Sequence, residues 1–188
     1  MAFPPNPGSR VTGSTIKLKL REITQLFNSL DPSPFTEQDL DHDAEEFIVS
    51  WARELPRHHD LRLTLSLERP LPATQTAEIV GDAIRHYFAY RASINRLELR
   101  YLFKQGRTSL LIGTSFLAGC LLLSQAIAHR EPSGAFWSIA QEGLTIAGWV
   151  AMWRPMEIYL YDWWPIKRRG SLLLRLSRMK IEVVAHPA

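Results

Sequence analysis

Two apolar stretches in the second half of the chain constrain its fold more than any other feature. The first runs from Ser109 to Ala128 and contains no charged residue, and the second runs from Ala135 to Trp153. A bilayer core about 30 Å thick requires roughly 20 apolar residues in a helix that rises about 1.5 Å per residue. The sequence therefore predicts a transmembrane helical hairpin over residues 108–154, with spans at 109–128 and 135–153 joined by a turn of six residues.

The rest of the chain is polar, so whole-chain averages hide the hairpin. The mean hydropathy is -0.11, a value typical of a soluble protein. The single cysteine, Cys120, lies inside the first stretch, which excludes an internal disulfide and a CxxC metal or redox pair. The first ten residues lack the basic and apolar regions of a secretory signal, so we expect no cleaved leader there.

Basic residues gather on one side of the predicted hairpin. Only Arg130 lies in the connecting turn, whereas many lysines and arginines precede the first span and follow the second. By the positive-inside rule, we expect both termini in the cytoplasm and the turn outside. Six of the basic side chains are expected to contact phospholipid headgroups: Arg100, Lys104, Arg107, Lys167, Arg168 and Arg169.

The residues before the hairpin predict a cytoplasmic α+β module over 14–107. Apolar and basic residues alternate in TIKLKLR at 15–21, and leucine alternates with polar residues at 61–67, as in half-buried strands. An apolar stripe predicts a helix from about 39 to 55 between these strands, which suits a parallel crossover. A second, basic helix is predicted from about 76, and it either continues into the first span or bends near Gly106.

The two ends of the chain are predicted to differ. Residues 1–13 are rich in proline and glycine, which predicts a disordered N-terminus. Pro155 should kink or break the second helix, so residues 155–188 are predicted to form an interfacial segment and a cytoplasmic tail. In that tail, MKIEVVA at 179–185 alternates like a strand. Two strands alone make a marginal sheet, so this strand or another chain is expected to complete it, and we favour the intramolecular sheet.

Glu142 is the most pointed candidate for function. It interrupts the second span together with Gln141, and an ionised carboxylate at that depth is costly unless it is protonated, paired or facing protein or water. Gln125 of the first span falls opposite it in an antiparallel hairpin. These three residues are predicted to form an intramembrane polar site, either a proton or ion site or a contact inside an oligomer. The alternative is a span shifted inward, with Glu142 near the outer headgroups.

Two further features of the hairpin favour a structural interpretation. Arg154 and Glu157 are three residues apart, so they are expected to form an ion pair at the cytoplasmic boundary. Small residues recur on both spans and would allow close helix packing, within the hairpin or between copies. These packing candidates are Gly113, Ser115, Gly119, Gly143, Ala147 and Ala151.

The sequence offers no candidate catalytic residue and no cofactor site. Neither span nor flank contains a Walker loop, a GxGxxG, a GxSxG or an HExxH pattern. The acidic run near residues 39–46 is better explained as a solvated helix start than as a metal site. The basic helix at 85–107 directly precedes a predicted span, so it indicates lipid headgroups, and we expect no nucleic-acid partner.

Three stretches carry a resemblance to a known group of proteins: DPSPF at 31–35, DHDAEEFIVSWA at 41–52 and GWVAMWRPMEIYLYDWWPIKRR at 148–169. Together they resemble a family of uncharacterised bacterial inner-membrane proteins with a cytoplasmic N-terminal region and two spans. The three stretches together make up about a fifth of the chain. It implies a bacterial inner-membrane setting and no particular activity.

These features together favour a non-enzymatic membrane protein. We expect an adaptor, scaffold or accessory subunit of a membrane complex, with the phospholipid bilayer and either a second copy or another membrane protein as partners. The alternative is an oligomeric transporter or channel component that uses Glu142. Two spans per chain cannot enclose a pore, so that alternative requires assembly.

Overall fold

The computed structural model describes residues 15–56, 60–72, 75–130 and 135–185. The predicted disordered segment 1–13 and the centre of the predicted turn lie outside these residues. The chain forms two compact units, the first made of residues up to 94 and from 169 onward, the second of residues 95–168. In chain order the elements are β1 (Thr15–Leu20), a 3-10 turn (Ile23–Leu26), α1 (His42–Glu54), β2 (Arg62–Leu67), α2 (Ala77–His129), α3 (Ala135–Ala151), α4 (Trp153–Glu157), a π-helical segment (Ile158–Asp162), α5 (Trp163–Leu176) and β3 (Lys180–Ala185).

The first unit is built on a three-stranded parallel sheet with the strand order β1-β2-β3. Ile16 of β1 pairs with Leu63 of β2, which pairs with Ile181 of β3. The predicted third strand and the intramolecular sheet are therefore confirmed. All three strands are parallel and have helices in their connections, so the connectivity is that of an α/β fold rather than the predicted α+β module.

One face of this sheet forms the core of the first unit. The period-two alternation places Ile16, Leu63 and Leu65 on that face, where they are fully buried. Helices cover it with apolar side chains, including Ile48 of α1 and Phe88 of α2. Burying a leucine or isoleucine side chain contributes about 1.5–3 kcal/mol, so this face supplies the main stabilisation of the unit.

Helix α1 begins where its capping chemistry predicts. Asp41 is the N-cap, and its carboxylate accepts a hydrogen bond from the backbone N–H of Asp43 at 3.0 Å. Asp43 and Glu45 follow in the first turn, at the positive end of the helix dipole. The helix ends at Glu54, two residues before Pro56.

Helix α2 is one continuous helix of 53 residues, so of the two alternatives the basic helix continues into the first apolar stretch. Among the described residues, α2 is the helix that is long and apolar enough to cross a membrane. Helix α3 has 17 residues and ends at Ala151, before a turn at Met152. Pro155 has no N–H to donate to the carbonyl of Ala151, which explains the break. The second span therefore stays a prediction.

Candidate functional site

The second unit is organised by close contact between α2 and α3. A Cβ atom added at Gly113 would lie 2.9 Å from the carbonyl oxygen of Ala151, and one added at Gly148 would lie 2.8 Å from Cδ1 of Leu117. Both glycines are buried. Such approaches are too close for a side chain, so the two glycines allow the helices to touch nearly backbone to backbone.

The contact on α2 repeats every seven residues. Gly106, Gly113 and Cys120 are all buried, and a Cβ atom at Gly106 would lie 2.9 Å from Cγ2 of Ile158. Gly106 therefore meets Ile158, Gly113 meets Ala151, and Cys120 meets Gly148, as in two antiparallel helices. A seven-residue repeat is typical of helices that pack along a continuous seam. We call this contact the glycine seam.

Only some of the predicted packing residues belong to the glycine seam. Gly113 and Ala151 lie in it. Ser115, Gly119, Gly143 and Ala147 are exposed, and a Cβ atom at Gly119 or Gly143 would meet no other atom within 4 Å. The packing residues predicted from the sequence are spaced four apart, whereas those of the glycine seam are spaced seven apart. This difference explains why most of the predicted residues lie outside the seam.

Large apolar side chains lie on the outer side of the helix pair. On α2, Leu111 and Leu122 are 71% and 67% exposed, and on α3, Ile139 and Val150 are 68% and 64% exposed. Phe116, Leu123 and Ile146 extend the same surface. We call it the apolar outer surface. A monomeric soluble protein rarely exposes a contiguous apolar patch of more than a few hundred Å².

The structure shows no hydrogen bond among the three predicted intramembrane polar residues. Glu142 is exposed, Gln125 is exposed and Gln141 is half-buried. No hydrogen bond or ion pair connects the Glu142 side chain to another described residue. The backbone carbonyl of Gln141 accepts a hydrogen bond from the Thr145 hydroxyl at 3.0 Å. Glu142 thus lies on the exposed side of α3 rather than in the glycine seam.

The predicted boundary pair is part of a larger charged group. The Arg154 guanidinium lies 3.1 Å from a carboxylate oxygen of Glu157 and 3.3 Å from one of Asp162. Asp162 was not singled out from the sequence, because it reaches Arg154 only through the π-helical segment. Pro155 and Pro165 flank that segment, and each removes a backbone donor. The two prolines, ten residues apart, were the feature of the sequence that could have indicated an irregular helix here.

Basic and aromatic residues gather at this end of the second unit. The Lys167 ammonium lies 5.2 Å from the ring centre of Trp163, and the Arg168 guanidinium lies 4.8 Å from that of Trp164. On α2, Lys104 and Arg107 are exposed on either side of Gly106, which contacts Ile158 and Tyr159. Arg100 is exposed as well, and the exposed Arg169 belongs to the first unit.

The acidic start of α1 contains one buried carboxylate that the sequence analysis missed. Glu45 is 8% exposed. It accepts hydrogen bonds from Arg91 at 2.9 and 3.1 Å and from the Tyr87 hydroxyl at 2.8 Å. Burial tends to lower the pKa of the Arg91 guanidinium. The hydrogen bonds and the negative charge of Glu45 have the larger effect, so the pKa of Arg91 is raised. Burial and the bond to Glu45 raise the pKa of the Tyr87 phenol well above its ordinary value.

An open cleft of about 320 Å³ lies beside this cluster in the first unit. Asp31, Glu37 and Asp39 line it together with His86 and Tyr90. Asp31 accepts hydrogen bonds from the backbone N–H groups of Asp39 at 2.8 Å and of Ser33 at 3.0 Å, and these bonds lower the pKa of its carboxyl. Among the described residues, no group of His, Cys, Asp and Glu is arranged to hold a metal ion.

Comparison with protein-family models, curated proteins and solved structures gives no match to this chain. The feature of the second unit that most needs a physical explanation is the apolar outer surface, because water is a poor solvent for it.

Proposed function

We propose that this chain is an integral membrane protein whose α2–α3 hairpin crosses the bilayer twice. In this proposal, the parallel-sheet unit lies in the cytoplasm and serves as an adaptor, scaffold or accessory subunit of a membrane complex. The observation that carries the proposal is the apolar outer surface of the second unit. Lipid chains would cover its exposed leucines and isoleucines, whereas water would oppose their exposure.

The length of α3 is compatible with a second span. Its 17 residues correspond to about 26 Å at about 1.5 Å per residue. Bilayers adapt to a short span by thinning or by snorkelling of flanking side chains, at fractions of a kcal/mol per Å. Trp149 and Trp153 are 63% and 68% exposed near the end of α3, where indole rings favour the headgroup boundary.

The charged end of the second unit supports the orientation. Lys104, Arg107, Lys167 and Arg168 lie at the end of the glycine seam opposite the predicted turn. Anionic headgroups of a cytoplasmic leaflet attract such residues by about 1 kcal/mol each. This end would therefore lie at the cytoplasmic surface, with both termini inside. The resemblance of three stretches to bacterial inner-membrane proteins supports a bacterial inner membrane.

Cysteine labelling in sealed vesicles tests the topology. In a Cys120→Ser background, Ser133→Cys in the turn should react with an impermeant maleimide only from the outer side. The matched control, Ser50→Cys on the exposed side of α1, should react only from the cytoplasmic side. Labelling of both positions from the same side, or release of the chain by alkaline carbonate, would contradict the proposal.

The adaptor role has a separate test. Purification in mild detergent should recover the chain with a stoichiometric protein partner or as an oligomer. An adaptor, scaffold or accessory subunit acts through contacts with other chains, so such an assembly is the expected result. A pure monomer that retains its membrane topology would refute the adaptor role and leave the topology standing.

Glu142 favours transport as a second candidate function. Its carboxylate is on the exposed side of α3, and lipid contact there would be costly. An oligomer that turns this side of α3 toward a polar path would remove that cost. Reconstituted wild-type protein should then conduct protons or cations across liposomes, and Glu142→Gln should abolish the flux. Absence of flux in the wild type, or equal flux in the variant, would discard transport.

A further inference from the structure

The sheet of the first unit has one face that no described helix covers. Its helices pack on the face of Ile16, Leu63 and Leu65. The opposite face is exposed or half-buried, although parallel sheets are almost always covered on both faces. The side chains of this open face are Thr15, Lys17 and Lys19 on β1, Arg62, Thr64 and Ser66 on β2, and Lys180, Glu182 and Val184 on β3.

The open face is basic rather than apolar. It carries four basic side chains and one carboxylate, and Arg62 pairs with that carboxylate, Glu182, at 3.1 Å. Lys17, Lys19 and Lys180 are exposed. Val184, at 37% exposed, is the one aliphatic side chain on this face. An apolar helix would gain little by covering such a surface, whereas an anionic surface would be attracted to it.

The same unit carries an acidic surface of complementary charge. From Glu22 to Ala52 the chain contains eight carboxylates and no lysine or arginine. Glu22 pairs with Arg69 and Glu45 pairs with Arg91. The remaining six, around the open cleft and the start of α1, are exposed or half-buried: Asp31, Glu37, Asp39, Asp41, Asp43 and Glu46.

The cleft is suited to a lysine ammonium. Glu37 and Asp39 have exposed side chains, and Tyr90, 55% exposed, adds an aromatic ring to the same lining. Carboxylates attract an ammonium by charge, and an aromatic face adds a cation–π contribution. Lys17 and Lys19 project from one strand about 7 Å apart, since successive residues on one face are separated by two strand rises. The cleft and the open face are therefore complementary in charge.

We propose that the open face of one copy docks on the acidic cleft of a second copy. Two open faces would not pair with each other, because that contact would bring lysines against lysines. A head-to-tail contact avoids this repulsion and leaves one free surface at each end, which leads to a ring or a longer array. The contact rests on the first unit alone and does not depend on the proposed membrane topology.

Two charge-reversal variants of the full chain in detergent test the contact. Self-association is measured by energy transfer between separately labelled copies at low ionic strength. Lys17→Glu/Lys19→Glu on the open face and Glu37→Lys/Asp39→Lys in the cleft should each weaken it at least about tenfold. The charge-matched control for the first variant, Arg53→Glu/Arg178→Glu, changes exposed residues outside both surfaces and should leave it unchanged.

Mixing the two variants gives the decisive result. The intact cleft of the first variant meets the intact open face of the second, so energy transfer between them should return to the wild-type level. Salt should weaken the restored contact, because it screens exposed charges. Failure of the mixture to associate, an equal loss in the control, or a monomeric wild type would overturn the proposal.

Other occupants of the open face give different outcomes. If Lys17→Glu/Lys19→Glu weakens binding to phosphatidylglycerol vesicles while self-association stays intact, the face binds lipid headgroups and the proposal is wrong. The labelling of Ser133→Cys, made in the same background, reports the membrane topology separately. A change in self-association with unchanged labelling therefore bears on this contact alone.

Discussion

The two units place their side chains in opposite ways. In the first unit, large residues such as Phe88 and Leu65 are fully buried, and charged residues line the open face. In the second unit, glycines lie at the contact between the helices, and leucines such as Leu111 and Leu122 lie on the apolar outer surface. The hydrophobic effect explains the first arrangement in water. The proposed membrane insertion would explain the second arrangement, because lipid chains would then surround its exposed leucines.

The sharpest way to break this contrast is to truncate one leucine in each unit. Leu65→Ala, at a fully buried position of β2, should lower the free energy of unfolding by about 2–5 kcal/mol, since it leaves a cavity. Leu122→Ala on the apolar outer surface should cost less than about 1 kcal/mol, because detergent or lipid fills the space. Chemical denaturation in mild detergent measures both. Equal losses would mean that protein, not lipid, covers Leu122.

The buried ion pair gives the next largest effect. Glu45→Gln removes the charge that faces Arg91, whose side chain is one third exposed at 33%. Losing a partner of a fully buried pair costs about 3–5 kcal/mol, so with this exposure we expect about 2–3 kcal/mol from the free energy of unfolding. Glu46→Gln, at the adjacent exposed carboxylate, is the matched control and should change it by less than about 0.5 kcal/mol. A similar loss in both variants would point to the helix dipole instead of the ion pair.

The glycine seam predicts that substitution of glycine by alanine has an effect at Gly113 and none at Gly119. Gly113→Ala would place a Cβ atom 2.9 Å from a backbone oxygen, and backbone cannot move aside as a side chain does. The helices should separate at a cost of about 1–3 kcal/mol, and the thiol of Cys120 should react faster with a maleimide. Gly119→Ala enters open space and should leave that rate unchanged. Equal rates in all three proteins would contradict the seam.

Sequence patterns were sufficient where structure depends on near neighbours. Strict alternation located β1 and β2, and the helix between them indicated their parallel pairing. The unbroken α2 and the full extent of α5 were not determined, because local propensity does not decide how far a helix continues once tertiary packing supports it.

The site residues that the sequence analysis missed depend on distant contacts. Glu45 is buried because Arg91, 46 positions later, approaches it. Asp162 reaches Arg154 through a π-helical segment, and the two prolines that flank it do not by themselves specify which side chains it brings together. The small residues of α2 were grouped at a spacing of four, although Gly106, Gly113 and Cys120 carry the contact at a spacing of seven. Whether α3 crosses a membrane stays a prediction, since packing contacts alone do not locate a bilayer.

The smallest effect is expected from the Tyr87 hydroxyl at alkaline pH. Burial and Glu45 raise the pKa of Tyr87 in the folded chain above its unfolded value of about 10. The stability that its protonated form contributes is therefore complete below about pH 10 and is lost as the pH rises from there toward the folded pKa. Tyr87→Phe should cost about 1 kcal/mol at neutral pH, because a hydrogen bond to a buried carboxylate is lost.

Above about pH 10 the two proteins should converge, because only the wild type loses this contribution. Thermal unfolding of the wild type and Tyr87→Phe between neutral pH and pH 11 measures the difference. Tyr90→Phe is the matched control, because Tyr90 lies on the same helix but is 55% exposed. Removal of its hydroxyl should leave the dependence of stability on alkaline pH unchanged. Parallel profiles for the wild type and Tyr87→Phe would mean that the phenol ionises without cost to the fold. The ion pair between Glu45 and Arg91 would then be stable without the protonated hydroxyl of Tyr87.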